Sequence, residues 1–97
     1  MDFLDYVGRE QLTVQRQIRA SSTSAFTIIA AGERVDIKII EVYNRSTSIN
    51  MNVSVDEGST FHDVLPESSL VLLVSDVVQV KSASATPTYE IQLGVRP

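Results

Sequence analysis

The sequence predicts an all-β domain, a small antiparallel β-sandwich of jelly-roll type with about seven or eight strands, preceded by an extended N-terminal arm. Three observations carry that expectation. Apolar residues alternate with period two in several runs, as in Ile49, Met51, Val53 and Val55 and again in Tyr89, Ile91, Leu93 and Val95. Turn chemistry separates the runs at spacings of about ten residues, the rhythm of sandwiches and jelly rolls. The connectors are also hairpin-sized, which favours antiparallel pairing, because a parallel crossover needs a dozen residues or more.

Residues 1–24 read as an arm and linker, and residues 25–97 as the sandwich. In the arm, Asp2 can cap a helical turn over residues 3–7 that ends near Gly8. The following QLTVQRQIR places Leu12, Val14, Arg16 and Ile18 on one face of a weak strand. So few apolar residues among Gln and Arg call for a neighbour to lie on, expected to be a partner subunit that receives the arm by strand addition or in a groove. Ala20 to Ser24 is a small-residue link.

The sandwich begins with AFTIIA at 25–30. Residues 32–55 then read as two alternating strands around a polar turn, a hairpin whose NRSTS turn spans 44–48. Val35, Ile37 and Ile39 share a face, but the apolar phase shifts at Ile40 and Val42, which predicts a bulge or burial on both faces. Asp56-Glu57-Gly58 starts a turn, and a short strand follows from Phe61 to Leu65. Three further strands follow, LVLLV at 70–74, VVQVK at 77–81 and the closing alternation at 89–95.

A chain of 97 residues holds one domain. Area scaling gives about 5,500 Å² of accessible surface when folded, against roughly 15,500 Å² unfolded, enough burial for one modest core. The formal net charge of −4 argues against nucleic-acid binding by the whole surface. No cysteine is present, so disulfides and thiolate chemistry are excluded. The start is acidic and shows no leader pattern, and the longest apolar run, Leu70 to Val74, is far too short to span a bilayer. No membrane partner is expected.

Candidate chemistry is sparse. The single histidine, His62, lies beside Asp63 with Ser59 nearby, but neighbours along a strand point to opposite faces and do not make a triad. Asp56, Glu57 and Asp63 fall short of the six or more oxygens that calcium takes, and no matching loop motif is present. Gly32 and Gly58 are isolated turn glycines, unlike a phosphate-cradling loop. Tyr43 and Tyr89 are the residues that a sugar platform would use, with core or strand-edge packing as the alternative. The expectation is no enzyme activity, no catalytic residue, no metal, no cofactor and no small-molecule substrate.

Together the glycine turn Ala31-Gly32-Glu33, VDIKIIEVYNRSTS at 35–48, INMNVSV at 49–55, LVLLV at 70–74, SDVVQV at 75–80 and YEIQLGV at 89–95 carry a family pattern. Over residues 25–96 the chain resembles the small β-sandwich virion proteins of tailed bacteriophages. Ser75 departs from the glycine that the pattern favours before the aspartate, and the arm lies outside the resemblance. The resemblance implies a capsid decoration or cement protein, located in a virion assembled in the host cytoplasm, with a neck, tail or fibre component or a carbohydrate-binding host-recognition module as alternatives. The implied partners are the major capsid protein or another virion protein, and a homo-oligomer such as a trimer. In that role the arm would supply Phe3, Leu4, Tyr6, Val7, Leu12, Val14 and Ile18 as anchors, with Arg9, Arg16 and Arg19 in charged contacts.

Overall fold

The computed structural model describes residues 2–30, 32, 36–84 and 87–97. A helix, α1 (Phe3–Glu10), precedes β1 (Thr13–Ala20), β2 (Phe26–Ile29), β3 (Ile37–Asn44), β4 (Met51–Ser54), β5 (His62–Val64), β6 (Ser69–Leu73), β7 (Val78–Ser82) and β8 (Thr88–Val95). These strands form two four-stranded sheets, ordered β1-β8-β3-β6 and β2-β7-β4-β5. Every pairing is antiparallel. The accessible surface of 5308 Å² agrees with the size of core that the chain length allows.

The pairing is nested. β4 meets β5, β3 meets β6, β2 meets β7 and β1 meets β8. The chain is therefore one long antiparallel ribbon with the β4–β5 hairpin at its tip. Rolling that ribbon lets β8 also pair with β3 and β7 with β4, which makes the expected jelly-roll sandwich. Between the sheets lie Ile40 and Val42 of β3, Met51 and Val53 of β4, Val78 and Val80 of β7, and Tyr89, Ile91 and Leu93 of β8. Alternation puts these residues inward because side chains two apart along a strand share a face.

The hairpin expected over 32–55 is corrected. β3 and β4 lie in different sheets, and the 44–48 turn carries the chain from one to the other. Asn44, fully buried, explains the crossing. Its amide donates to the carbonyls of Ile49 (2.7 Å) and Val64 (3.0 Å), while its Oδ1 accepts from the Ser46 amide (3.0 Å). The Ser46 hydroxyl in turn accepts from Ile49 N–H at 3.0 Å. Side-chain bonds thus satisfy backbone groups that a two-strand ladder would otherwise take.

The shared face expected for Ile37 and Ile39 is corrected: a bulge between them puts Ile37 in the core with Ile40 and Val42 and turns Ile39 to the other face. The register with β8 slips between Ile37 and Ile39. Ile39 then packs outside the sandwich with Phe3 and Val7, while Ile40 points into the core. Val35 lies outside the described residues, as do Ala31 and Glu33 of the glycine turn.

Residues 3–20 differ from the expected arm. Asp2 caps α1, accepting from Leu4 N–H (2.9 Å) and Asp5 N–H (3.3 Å), and the helix runs past Gly8 to end at Gln11 in the left-handed region. Phe3 and Val7, at the i and i+4 spacing of one helix face, are buried on the first sheet. β1 pairs with β8 over its whole length, from Thr13 opposite Val95 to Ala20 opposite Thr88. The partner that this weak strand needs is the chain's own last strand. The following link is tied as well, since the Ser21 hydroxyl donates to the Pro87 carbonyl (2.8 Å) and Ser82 N–H donates to the Ser22 carbonyl (2.9 Å).

Candidate functional site

The residue types that sequence reasoning singled out for chemistry stand apart in the fold. His62 is exposed on β5, an edge strand only three residues long. Asp63, its neighbour, accepts from Asn52 Nδ2 at 2.6 Å across the β4–β5 pair. Asp56 is spent on its own turn: it accepts from the Ser54 hydroxyl (2.7 Å) and from Thr60 N–H (2.9 Å), and these bonds hold its carboxyl below its ordinary pKa. Gly58 closes that turn at φ +85°, where a side chain would be strained. No group of three or more His, Asp or Glu side chains fit to hold a metal gathers among the described residues. No described helix is long and apolar enough to cross a membrane.

Tyr43 and Tyr89 do not form one platform. Tyr89 is 1% exposed and belongs to the core, where burial raises its phenol pKa. Tyr43 lies on the outer face of the first sheet. That outer face is where the chain gathers accessible apolar and charged groups.

Its make-up follows from register, because directly paired residues of an antiparallel sheet share a face. One row across β1, β8, β3 and β6 runs Val14, Gly94, Ile39, Leu73. The next runs Arg16, Gln92, Glu41, Val71, and the third runs Ile18, Glu90, Tyr43, Ser69. Helix α1, through Phe3 and Val7, and Leu12 just after it cover part of the first row. The helix can approach because position 94 is glycine: a Cβ there would lie 2.5 Å from Ile39 Cγ2 and 3.2 Å from Val7 Cγ2. In the second row Val71 packs against the same cluster, and the rest of the face is open. A shallow polar hollow lined by Glu41, Tyr43, Ser69, Glu90 and Gln92 occupies its middle.

Around this hollow stand the exposed apolar residues Ile18 (62%), Tyr43 (37%) and Leu73 (44%), with Val14 and Leu4 beyond them. Gln92 Nε2 donates to Glu41 Oε1 at 3.1 Å, while Gln92 Oε1 is buried without a partner. Burial raises the Glu41 pKa, the nearby negative charge of Asp2 adds to the rise, and Arg16 opposes it. The surface is thus an apolar rim around a partly desolvated carboxylate.

The expected interface set divides accordingly. Phe3 and Val7 are used inside the molecule, with Tyr6 and Leu12 packed beside them, and are corrected from partner anchors to internal ones. Leu4, Val14, Ile18, Arg9 and Arg16 are exposed, and Arg19 is half-buried. Tyr43, Glu41, Leu73 and Glu90 join the same face, which no local pattern marks. Their parity is visible in their strands, but which parity faces outward is decided by the rolled pairing.

No family model matches the chain, and no curated protein matches it by sequence. Solved structures share its fold. An HTH_3 family transcriptional regulator from Vibrio cholerae is similar over 93% of this chain with a TM-score of 0.61 at 6% identity; the chain spans about half, 46%, of that protein. The Cupin_2 domain of an XRE family transcriptional regulator from Enterobacter cloacae aligns over 91% of this chain and 86% of its own, with a TM-score of 0.57 and 15% identity. A protein of the Bacillus endospore appendages, disulfide-linked pili, aligns over 86% of both chains with a TM-score of 0.53 and 18% identity. At such identities the likeness is one of fold alone, a small two-sheet antiparallel β-roll.

Proposed function

We propose that this chain is a structural subunit that works by surface contact, in a virion as a capsid decoration or cement protein, with no catalytic step. The observation that supports this reading most is the open outer face of the first sheet. There Ile18, Tyr43 and Leu73 stand exposed around Glu41, Glu90 and Arg16, on a rigid sheet whose interior is filled by apolar side chains. Exposed apolar side chains gathered on one rigid face favour a protein-binding surface, here one whose polar contacts lie at its middle. The resemblance of residues 25–96 to phage sandwich proteins supplies the setting, and the major capsid protein is the proposed partner. The β-roll shared with a subunit of the Bacillus appendages shows that such a fold can serve in an assembly. Disulfide linkage of that kind has no counterpart in a chain without cysteine.

The test is co-sedimentation with phage heads assembled without this protein, alongside the sedimentation mass of the free chain. Saturable binding is expected, together with a higher temperature of head disruption. Ile18→Asp combined with Leu73→Asp should lower occupancy while leaving the thermal unfolding of the free protein unchanged. Wild-type protein that never binds heads would remove the reading.

A further inference from the structure

We infer that the free edge of β1 accepts an extended acidic segment of a partner protein, added as a further strand of the first sheet. The inference rests on the reading of the chain as a contact-making subunit and names the chemistry of its partner.

The four sheet edges are unequal. β5 has three residues, β2 has four with a register slip after Thr27, and β6 has five. Shortness and irregularity of this sort are how edges are protected from adding strands. β1 has eight residues, no proline or glycine, and an unbroken register with β8. On its other side it has no strand neighbour among the described residues. It is the edge best shaped to receive another strand through main-chain hydrogen bonds.

Charge then selects the occupant. Between Glu10 and Glu33 the sequence holds no acidic residue, in a chain whose net charge is −4. Within that stretch Arg16 projects from the outer face and Arg19 from the inner one, as their pairing with Gln92 and Tyr89 fixes. Gln17 Oε1 accepts from Arg19 Nε at 2.8 Å and holds the guanidinium in place. Beside it lies a hollow of about 390 Å³ lined by Arg19, Ala20, Ser22, Phe26 and Tyr89. An added strand would set apolar side chains against Val14 and Ile18, an acid against Arg16, and a second acid on the inner side near Arg19. A second copy fits poorly, because it brings no acid to either arginine: two-fold pairing about Arg16 sets that residue against itself, and pairing about Gln17 sets Arg16 against Ile18 and Arg19 against Gln15.

The experiment uses synthetic peptides matched to β1 in length: Thr-Glu-Val-Thr-Glu-Thr-Val-Thr, which in antiparallel pairing sets glutamates opposite Arg19 and Arg16 and valines opposite Ile18 and Val14, the same with lysine for glutamate, and the glutamate peptide with a central proline. Amide hydrogen exchange and titration calorimetry on the whole protein are the readouts. The glutamate peptide should slow exchange within residues 13–20, and the lysine peptide should bind about tenfold more weakly, the scale of two exposed ion pairs. The proline peptide should not bind. Arg16→Glu with Arg19→Glu should reverse the preference, with exchange in β3 and β8 unchanged as the control for folding. Arg16→Gln with Arg19→Gln, a milder pair, should abolish the preference.

Equal binding of both charged peptides, protection outside β1, or an unchanged preference in the variants would overturn the inference. So would concentration-dependent self-association that Arg16→Glu abolishes, which would assign the edge to a second copy. Head binding is scored separately: a chain that takes the glutamate peptide yet binds no heads keeps this inference and loses the virion setting.

Discussion

β1 and β8 are strands of equal length, hydrogen-bonded to each other from end to end, yet they belong to the fold in different ways. Tyr89, Ile91 and Leu93 of β8 are buried. Their mates on β1 are Arg19, Gln17 and Gln15, none of them buried. β8 is held by its ladder and by the opposite sheet, whereas β1 is held by a ladder alone. Pairing sets the position of a strand, and burial sets most of its energy. A strand secured by backbone bonds leaves its side chains available for other contacts.

The largest test of this contrast compares mates across the pair. Ile91→Ala should cost about 3 kcal/mol in urea unfolding, as is usual for a buried large-to-small change. Gln17→Ala, directly opposite, should cost under about 0.5 kcal/mol. Equal costs would mean that β1 contributes to the core after all. Gly94→Ala comes next, at about 2 kcal/mol, because its Cβ would press into Ile39 and Val7. Its mate Val14→Ala should be nearly neutral, and limited proteolysis should show α1 loosened only in the glycine variant.

Removing the helix cap with Asp2→Ala should cost about 1 kcal/mol and raise amide exchange in α1 while β8 keeps its protection. The smallest expected effect is electrostatic. Because burial raises the Glu41 pKa, the folded state holds that proton more tightly than the unfolded one, and stability falls as pH rises through the elevated pKa. Glu41→Gln should therefore gain on wild type at neutral pH and lose the gain below the ordinary glutamate value of 4.5. Asp56 has the opposite sign: its lowered pKa adds stability that disappears as pH falls through it.

Much of the fold was legible in the sequence because period-two alternation and turn residues act locally. The strand at 89–95 and the cap at Asp2 could be read from adjacent residues alone. The assignment of β3 and β4 to separate sheets could not, since it depends on Asn44 meeting Val64, twenty positions away. The same limit hid the outer face. Leu12, Val14, Arg16 and Ile18 were correctly grouped, but nothing local says that their grouping continues through Gln92, Glu41 and Val71. Phe3 and Val7 read as anchors for a partner because Ile39, the residue they cover, is distant in the chain.

The nested ribbon also sets an order of events during synthesis. Its tip, β4 with β5, closes over a short span, while β1 must wait for residues 88–95. At ordinary translation rates of about 5–20 residues per second, that wait lasts on the order of several seconds. Throughout it, β1 has two open edges instead of one, and Phe3 and Val7 lack the sheet that will cover them. The segment that gives the finished molecule its free edge is thus also the part of the nascent chain in longest need of protection. During that wait its arginines, set among exposed valine and isoleucine, keep the edge from being a continuous apolar one.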